Sequence, residues 1–268
     1  MPAVKIVDLG IEWATLAGAF VGLIVGLTGV GGGALMAPIL LIGFGLELQT
    51  VVATDLLFAT ITKIFAGGVH IRNNLVDWQI VKRLWLGSIF ATLAVVYFSV
   101  SGKIFNNSGW ITTILGILIL LSSTSILFGS QIQSSQTKRR IATPSSFKKF
   151  QSPLTVFSGG ILGTLITMTS IGAGALGAVF LRTLYPLRMQ PRPLIATDTI
   201  HAIPVSFLGG LSFLIMGYTD LKMLGFLLLG SIPMALVGSS LVKSAPIKLV
   251  KTLLSIVLFI AGIKLILL

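Results

Sequence analysis

Apolar residues in this chain run on for about twenty positions at a time, repeatedly, and that feature leaves few folds open. A helix of about 20 mostly apolar residues is what crosses the hydrocarbon core of a bilayer. Segments of that kind lie at roughly 51–70, 84–101, 109–128, 194–215, 221–241 and 247–267. Two further stretches, roughly 11–46 and 154–186, are as apolar but interrupted by glycines. Charged residues make up only 10% of the 268 positions, against about 25% in a soluble domain. Mean hydropathy is +1.02. A soluble core cannot absorb that much apolar chain, so the fold class is an all-α integral membrane protein.

The charge balance fits the same reading. Lys and Arg number 19 against 7 Asp and Glu, a net charge of +12. In a soluble protein this would suggest a nucleic-acid partner; in a multi-pass chain it reflects basic cytoplasmic loops, and no nucleic acid is expected. There is no cysteine, which removes disulfides, thiol nucleophiles and thiolate metal sites. Two histidines and seven acids leave little for a catalytic metal cage, and no cofactor or enzymatic activity is expected. The first apolar segment has no basic region directly before it and no small-residue cleavage site, so it reads as a retained helix.

The interrupted stretches break at Thr28-Gly29-Val30-Gly31-Gly32-Gly33 and at Thr169-Ser170-Ile171-Gly172-Ala173-Gly174. The pieces after each break are short for a full crossing. If each stretch is a hairpin returning to the side it entered, one face collects Arg72, Lys82, Arg83, Lys138, Arg139, Arg140, Lys148 and Lys149. Arg182, Arg188, Arg192, Lys243, Lys248 and Lys251 join them, while the opposite loops hold only Lys103 and Lys222. The positive-inside rule therefore favours hairpins, with that face cytoplasmic. Residues 129–153, rich in Ser, Gln and basic residues, form a cytoplasmic linker between a first membrane repeat (1–128) and a second (154–268).

The two parts resemble each other. A shift of 141 aligns Gly22, Thr28, Gly31, Gly33, Ala34 and Leu35 with Gly163, Thr169, Gly172, Gly174, Ala175 and Leu176. A shift of 143 aligns Ala53-Thr54-Asp55 with Ala196-Thr197-Asp198, Asp77 with Asp220 and Gly87-Ser88 with Gly230-Ser231. Four of the seven acids thus fall into two related pairs. With one hairpin and three crossings in each part, the second repeat is inverted relative to the first. Inverted repeats with glycine-broken segments at matching positions point to a secondary transporter whose site lies between the repeats.

A helix that begins inside the membrane presents unpaired N–H groups and partial positive charge, and small anions bind there. The expected substrate-binding residues are Thr28, Gly29, Gly31, Gly32, Gly33, Thr54, Lys63, Thr169, Ser170, Gly172, Gly174 and Thr197. Asp55 and Asp198 are the expected proton-coupling groups, since intramembrane carboxylates are generally functional. The alternative for each Thr-Asp pair is a cap and first turn at a helix start. Lys63 lies eight residues beyond Asp55, about 12 Å along a helix, too far for a direct pair. His201, three residues after Asp198, faces the same way; it either shares a hydrogen bond with Asp198 and joins the proton-coupling groups, or is a buried, satisfied histidine. Asp77 and Asp220 read as helix caps, and Gly87-Ser88 and Gly230-Ser231 as packing contacts.

These motifs together resemble the sulfite exporter TauE/SafE family of bacterial membrane permeases. The likeness rests on Gly26-Leu27-Thr28-Gly29-Val30-Gly31-Gly32-Gly33 with Pro38, Ala53-Thr54-Asp55-Leu56-Leu57, Val76-Asp77-Trp78 and Leu86-Gly87-Ser88. Residues 169–175 and 197–202 are similar to the family's degenerate second repeat. Many members have Gly-Thr-Ser where this chain has Ala-Thr-Asp. The resemblance implies a permease for sulfite or a related organosulfur anion, multi-pass in the bacterial inner membrane. Its partners would be the bilayer and a small anion, with a homodimer left open. The rival reading is a cation or metal-ion transporter using Asp55 and Asp198 as ligands. No Walker A motif occurs, so transport would draw on an ion gradient or a separate partner.

Overall fold

A computed structural model of the chain describes residues 10–28, 33–101, 109–142, 144–171, 174–241 and 247–267. These residues are helical, joined by short turns. In chain order the helices are α1 (Gly10–Thr28), α2 (Gly33–Pro38), α3 (Leu48–Arg72), α4 (Trp78–Val100), α5 (Gly109–Ala142), α6 (Pro144–Thr169), α7 (Ala175–Leu184), α8 (Pro191–Ile215), α9 (Leu221–Leu241) and α10 (Ile247–Ile266). Among the described residues, six helices are long and apolar enough to cross a membrane. The predicted linker 129–153 is helical where described: α5 extends to Ala142 and α6 begins at Pro144.

The second interrupted stretch is a hairpin. Gln151 near the start of α6 donates its Nε2–H to the carbonyl of Leu184 at the end of α7, at 2.6 Å. The hydroxyls of Thr155 and Tyr185 meet at 2.7 Å, so the chain returns to the level it left. In the first stretch α2 runs into a π-helical turn, Ile39–Gly43. Pro38 lacks the N–H that would bond the carbonyl of Ala34, and the helix loosens there. Gly33–Gly43 is too short for a full crossing, spanning about 16 Å of a core about 30 Å thick.

Polarity is turned inside out relative to a soluble bundle. On α4, Phe90 is 70% exposed and Leu86, Leu93 and Tyr97 also face outward, while Ser88, Thr92 and Ser99 are buried. Helices in lipid gain nothing by hiding leucine from hydrocarbon, so small residues go to the interfaces, where backbones approach closely. Trp13, Trp78 and Trp110 sit exposed near helix ends, as an interfacial belt requires.

The two sequence halves interlock. α1 packs along α9, α4 along α6, α3 against α8 and α5 against α10. Glycines set these contacts. A Cβ on Gly22 would lie 2.3 Å from the carbonyl oxygen of Ser231, and one on Gly163 would lie 2.4 Å from that of Ser88. Gly230 presses the same way on Thr15, and Gly87 on Val156. Helices α3 and α8 run antiparallel, with Gly67 against Ile200 and Gly210 against Leu57. The repeated glycine motifs are therefore contacts between halves.

Glycine to alanine within a helix ordinarily stabilises by about 1 kcal/mol. At Gly225 of α9, where a Cβ would meet nothing, the substitution should leave the detergent-melting midpoint unchanged or raise it. Gly163→Ala should lower the midpoint, because overpacking of about 1–3 kcal/mol outweighs the propensity gain. A thermal-melt comparison of the two variants by size-exclusion chromatography checks the sign.

Candidate functional site

The helix starts shift the predicted Thr-Asp motifs. The alternative that Thr54-Asp55 and Thr197-Asp198 stand at caps and in first turns does not hold: the caps are Glu47 and Gln190, and each Asp lies seven residues inside its helix. Leu48 and Pro191 begin the helices earlier, Pro191 because proline suits a first turn where no N–H is needed. The capping alternative is thereby overturned, and both carboxylates stand within membrane-spanning helices, fully or almost fully buried.

The threonines beside them tie the bundle's two ends. Thr54 Oγ1 accepts the N–H of Asp220 at 3.2 Å, and Thr197 Oγ1 accepts that of Asp77 at 3.1 Å. Asp77 and Asp220 cap α4 and α9 through the N–H groups of Ile80 and Met223, as their sequence positions predicted. Asp77 also forms an ion pair with Arg188 at 2.6 Å, and Arg83 donates to the Tyr185 hydroxyl at 3.1 Å. Arg83 and Arg188 thus share one end of the bundle, in agreement with the charge-based sidedness.

Between these ends the hairpin tips meet. A Cβ on Gly33, at the head of α2, would lie 2.2 Å from the carbonyl oxygen of Ser170 and 3.2 Å from Asp55 Oδ2. In the other tip the N–H of Gly174 donates to Asp198 Oδ2 at 2.5 Å. Ser170 and Gly174 both have positive φ, 57° and 100°, which turns the chain abruptly from α6 into α7. Thr169 Oγ1 closes that turn by accepting from the N–H of Ile171 at 3.2 Å. Gly29, Gly31, Gly32 and Gly172 lie outside the described residues, as does the side chain of Thr28.

Lys63 is buried on α3 and interacts electrostatically with Asp198 and, more weakly, with Asp55, without an ion pair to either among the described residues. His201 is fully buried and does not make the predicted bond to Asp198. Its Nε2 meets Ser88 Oγ at 3.0 Å, and its carbonyl accepts the Trp85 indole N–H at 3.0 Å. The Asp198 carboxylate is drawn instead to Gly174, since a helix-head N–H facing it is the better partner. Ser88 is the residue that sequence reasoning missed, having been assigned to packing; its only sequence signal was the repeated Gly-Ser pair.

The antiparallel register of α3 and α8 arranges the ionisable groups in order along the bundle: Asp55, Lys63, His201, Asp198. Residue 57 lies level with 210 and residue 67 with 200, so the two carboxylates are separated along the axis by about 20 Å at 1.5 Å per residue. Both oxygens of Asp55, Asp198 Oδ1, Ser170 Oγ and His201 Nδ1 are buried without a hydrogen-bond partner. Ser170 lies close enough to act on Asp55 but not in hydrogen-bond geometry. Buried polar groups nearly always have partners. Those without one among the described residues, together with the buried Lys63, make up the candidate site.

Comparison with known proteins decides the family. Residues 14–265 match the family described as sulfite exporter TauE/SafE. The chain belongs to that family. It is 32% identical over 211 residues, 78% of this chain and 81% of the relative, to "Probable membrane transporter protein YjnA" of Bacillus subtilis (strain 168). No solved structure matches. As a TauE/SafE protein it is a multi-pass membrane transporter, and the buried ladder from Asp55 to Asp198 lies where its two halves meet.

The Ser88–His201 contact gives a test of this geometry. Ser88→Ala leaves a buried imidazole nitrogen unpaired and should destabilise by about 1–3 kcal/mol. Replacing His201 as well by Phe, the residue at the matching position 58 of the first half, should recover most of that loss. A double-mutant cycle read by thermal melts should be strongly non-additive; additive losses would mean that the contact is absent.

Proposed function

We propose that this chain is a secondary transporter of a small anion, most simply sulfite or a related organosulfur anion, residing in a bacterial inner membrane with residues 129–153 cytoplasmic. The observation that carries this reading is the buried Lys63 between two helix heads, Gly33 and Gly174, contributed by the two halves. Helix heads and an ammonium attract anions. The broken backbone of Ser170 and Gly174 is tolerable at this depth only when protein encloses it or it lines a watery cavity. The same ammonium weighs against the cation-transporter reading, since it would repel the cargo.

Substrate contacts come from Gly33, Gly174, Ser170 and Lys63, together with Gly29, Gly31, Gly32 and Gly172 and the hydroxyls of Thr28, Thr54, Thr169 and Thr197. Asp55, Asp198 and His201 form the set of buried ionisable groups through which a proton is coupled to the movement. A carboxylate repels an anion when ionised, so a proton and the substrate favour each other's presence. The two parts act as inverted repeats, and alternating access is a rocking of one against the other. A Thr hydroxyl that already accepts a backbone N–H, as in Thr54 and Thr197, retains its proton for donation.

Purified protein in proteoliposomes should give saturable flux of labelled sulfite that responds to an imposed pH gradient. Asp55→Asn should keep a folded protein but lose the response to the gradient. Flux no greater than that of empty liposomes, from a sample with a normal melting transition, would remove sulfite as the substrate and leave the transporter class intact.

A further inference from the structure

The Thr-Asp motifs are repeated, but their surroundings are not. Asp198 has a donor: the N–H of Gly174, at the head of the ten-residue α7, points at Oδ2 from 2.5 Å. Its carboxylate sits so close to the first turn of α7 that a Cβ on Gly177 would overlap Oδ1, at 1.8 Å. Asp198 is also the stronger of the two electrostatic partners of Lys63, as the register along α3 and α8 requires. A positive helix head and an ammonium both favour a negative charge there.

Asp55 is less well served. It lies beside the head of the six-residue α2 and is the weaker partner of Lys63; its side chain is fully buried, and among the described residues no donor reaches either oxygen in hydrogen-bond geometry. Lys63 lies eight residues on, about 12 Å along the same helix. Besides Lys63, a titratable group near it is Asp220 at the head of α9, whose N–H bonds the adjacent Thr54; Asp198 and His201 on α8 stand farther along the axis, beyond Lys63. α2 carries no titratable residue, and the turn after α6 brings the neutral Ser170 near it. A carboxylate buried with no donor is strongly disfavoured, whereas a carboxyl carrying its own O–H is tolerated.

We infer that the two aspartates divide the work: Asp55 carries the exchangeable proton, and Asp198 remains ionised as the fixed counter-charge of Lys63. This rests on the transporter reading of the ladder and deepens it. In the conformation described here the proton sits on Asp55, which removes the charge that would repel an anion at the Gly33 tip. Release of that proton leaves Asp55 ionised, so release needs a rearrangement that brings water or a donor to α3 at that level. Asp198 cannot take the same role without stripping Lys63 of compensation.

The assignment can be tested without any substrate, on the full chain in liposomes. Infrared spectra at neutral pH should contain the carbonyl stretch of a protonated carboxyl. Asp55→Asn should abolish that band, and Asp55→Glu should restore one at a shifted frequency. Persistence of the band in Asp55→Asn, or its absence from the wild type, overturns the assignment. Melting supplies the second arm. Asp55→Asn should leave the midpoint unchanged, Asp198→Asn should lower it, and adding Lys63→Met to Asp198→Asn should restore it. Equal losses from the two Asn substitutions would overturn the division of labour. Because neither readout involves sulfite, a negative flux experiment beside positive spectra would remove the substrate and spare the proton assignment.

Discussion

Inside hydrocarbon an unpaired backbone N–H has no water to turn to, and the bundle is organised around that shortage where its hairpins break. The turn from α6 into α7 has its own closure, Thr169 Oγ1 on the N–H of Ile171. Beyond it, the Gly174 N–H needs an acceptor from another helix and finds Asp198. That one bond fixes the tip of a hairpin against α8. The opposite tip, at Gly33, is wedged between Ser170 and Asp55 with no room for a side chain. Moving either tip disturbs a buried carboxylate, so the backbone irregularity and the ionisable ladder are parts of a single arrangement.

Holding the tips there falls to glycine contacts between halves. With no hydrophobic drive between helices in lipid, association depends on close packing. The approach of Gly22 to Ser231 and of Gly163 to Ser88 allows backbones to touch. Because α1 lies on α9 and α4 on α6, neither half of the sequence packs as a separate body. The two bundle ends differ, however. Asp77, Arg188, Arg83 and Tyr185 bind one end together, whereas the residues offset from Arg188, Arg83 and Tyr185 by the repeat shifts are Glu47, Phe226 and Phe44. Any rocking of the halves has polar contacts to break at the first end and different ones at the second.

Much of this was legible in the sequence for a physical reason: the hydropathy of a membrane helix is local. Segments near 51–70, 84–101 and 221–241 emerged as α3, α4 and α9 with ends shifted by a few residues. The glycine breaks located where both stretches are interrupted, and the second is the hairpin that Lys and Arg placement favoured, since both depend on composition along the chain. Asp77 and Asp220 were readable as caps because capping spans three residues. The first-turn reading of Asp55 and Asp198 failed because polar Gln49 and Thr50, and Arg192, masked how early their helices begin.

The sequence by itself determined the class of molecule and which rare polar residues lie in apolar surroundings. Each follows from residue type and spacing within about one helix length. Only the tertiary structure decided the order Asp55, Lys63, His201, Asp198 along the bundle, and the pairing of His201 with Ser88 rather than with Asp198. It alone separated two aspartates that look alike in sequence, giving one a helix-head N–H and the other, among the described residues, no donor. Those outcomes depend on the register of α3 against α8 and on where the hairpin tips come to rest. The register and the Gly33 tip are set by glycine contacts between residues more than one hundred positions apart, and the other tip by the Gly174–Asp198 bond across 24 positions, distances over which no local pattern carries information.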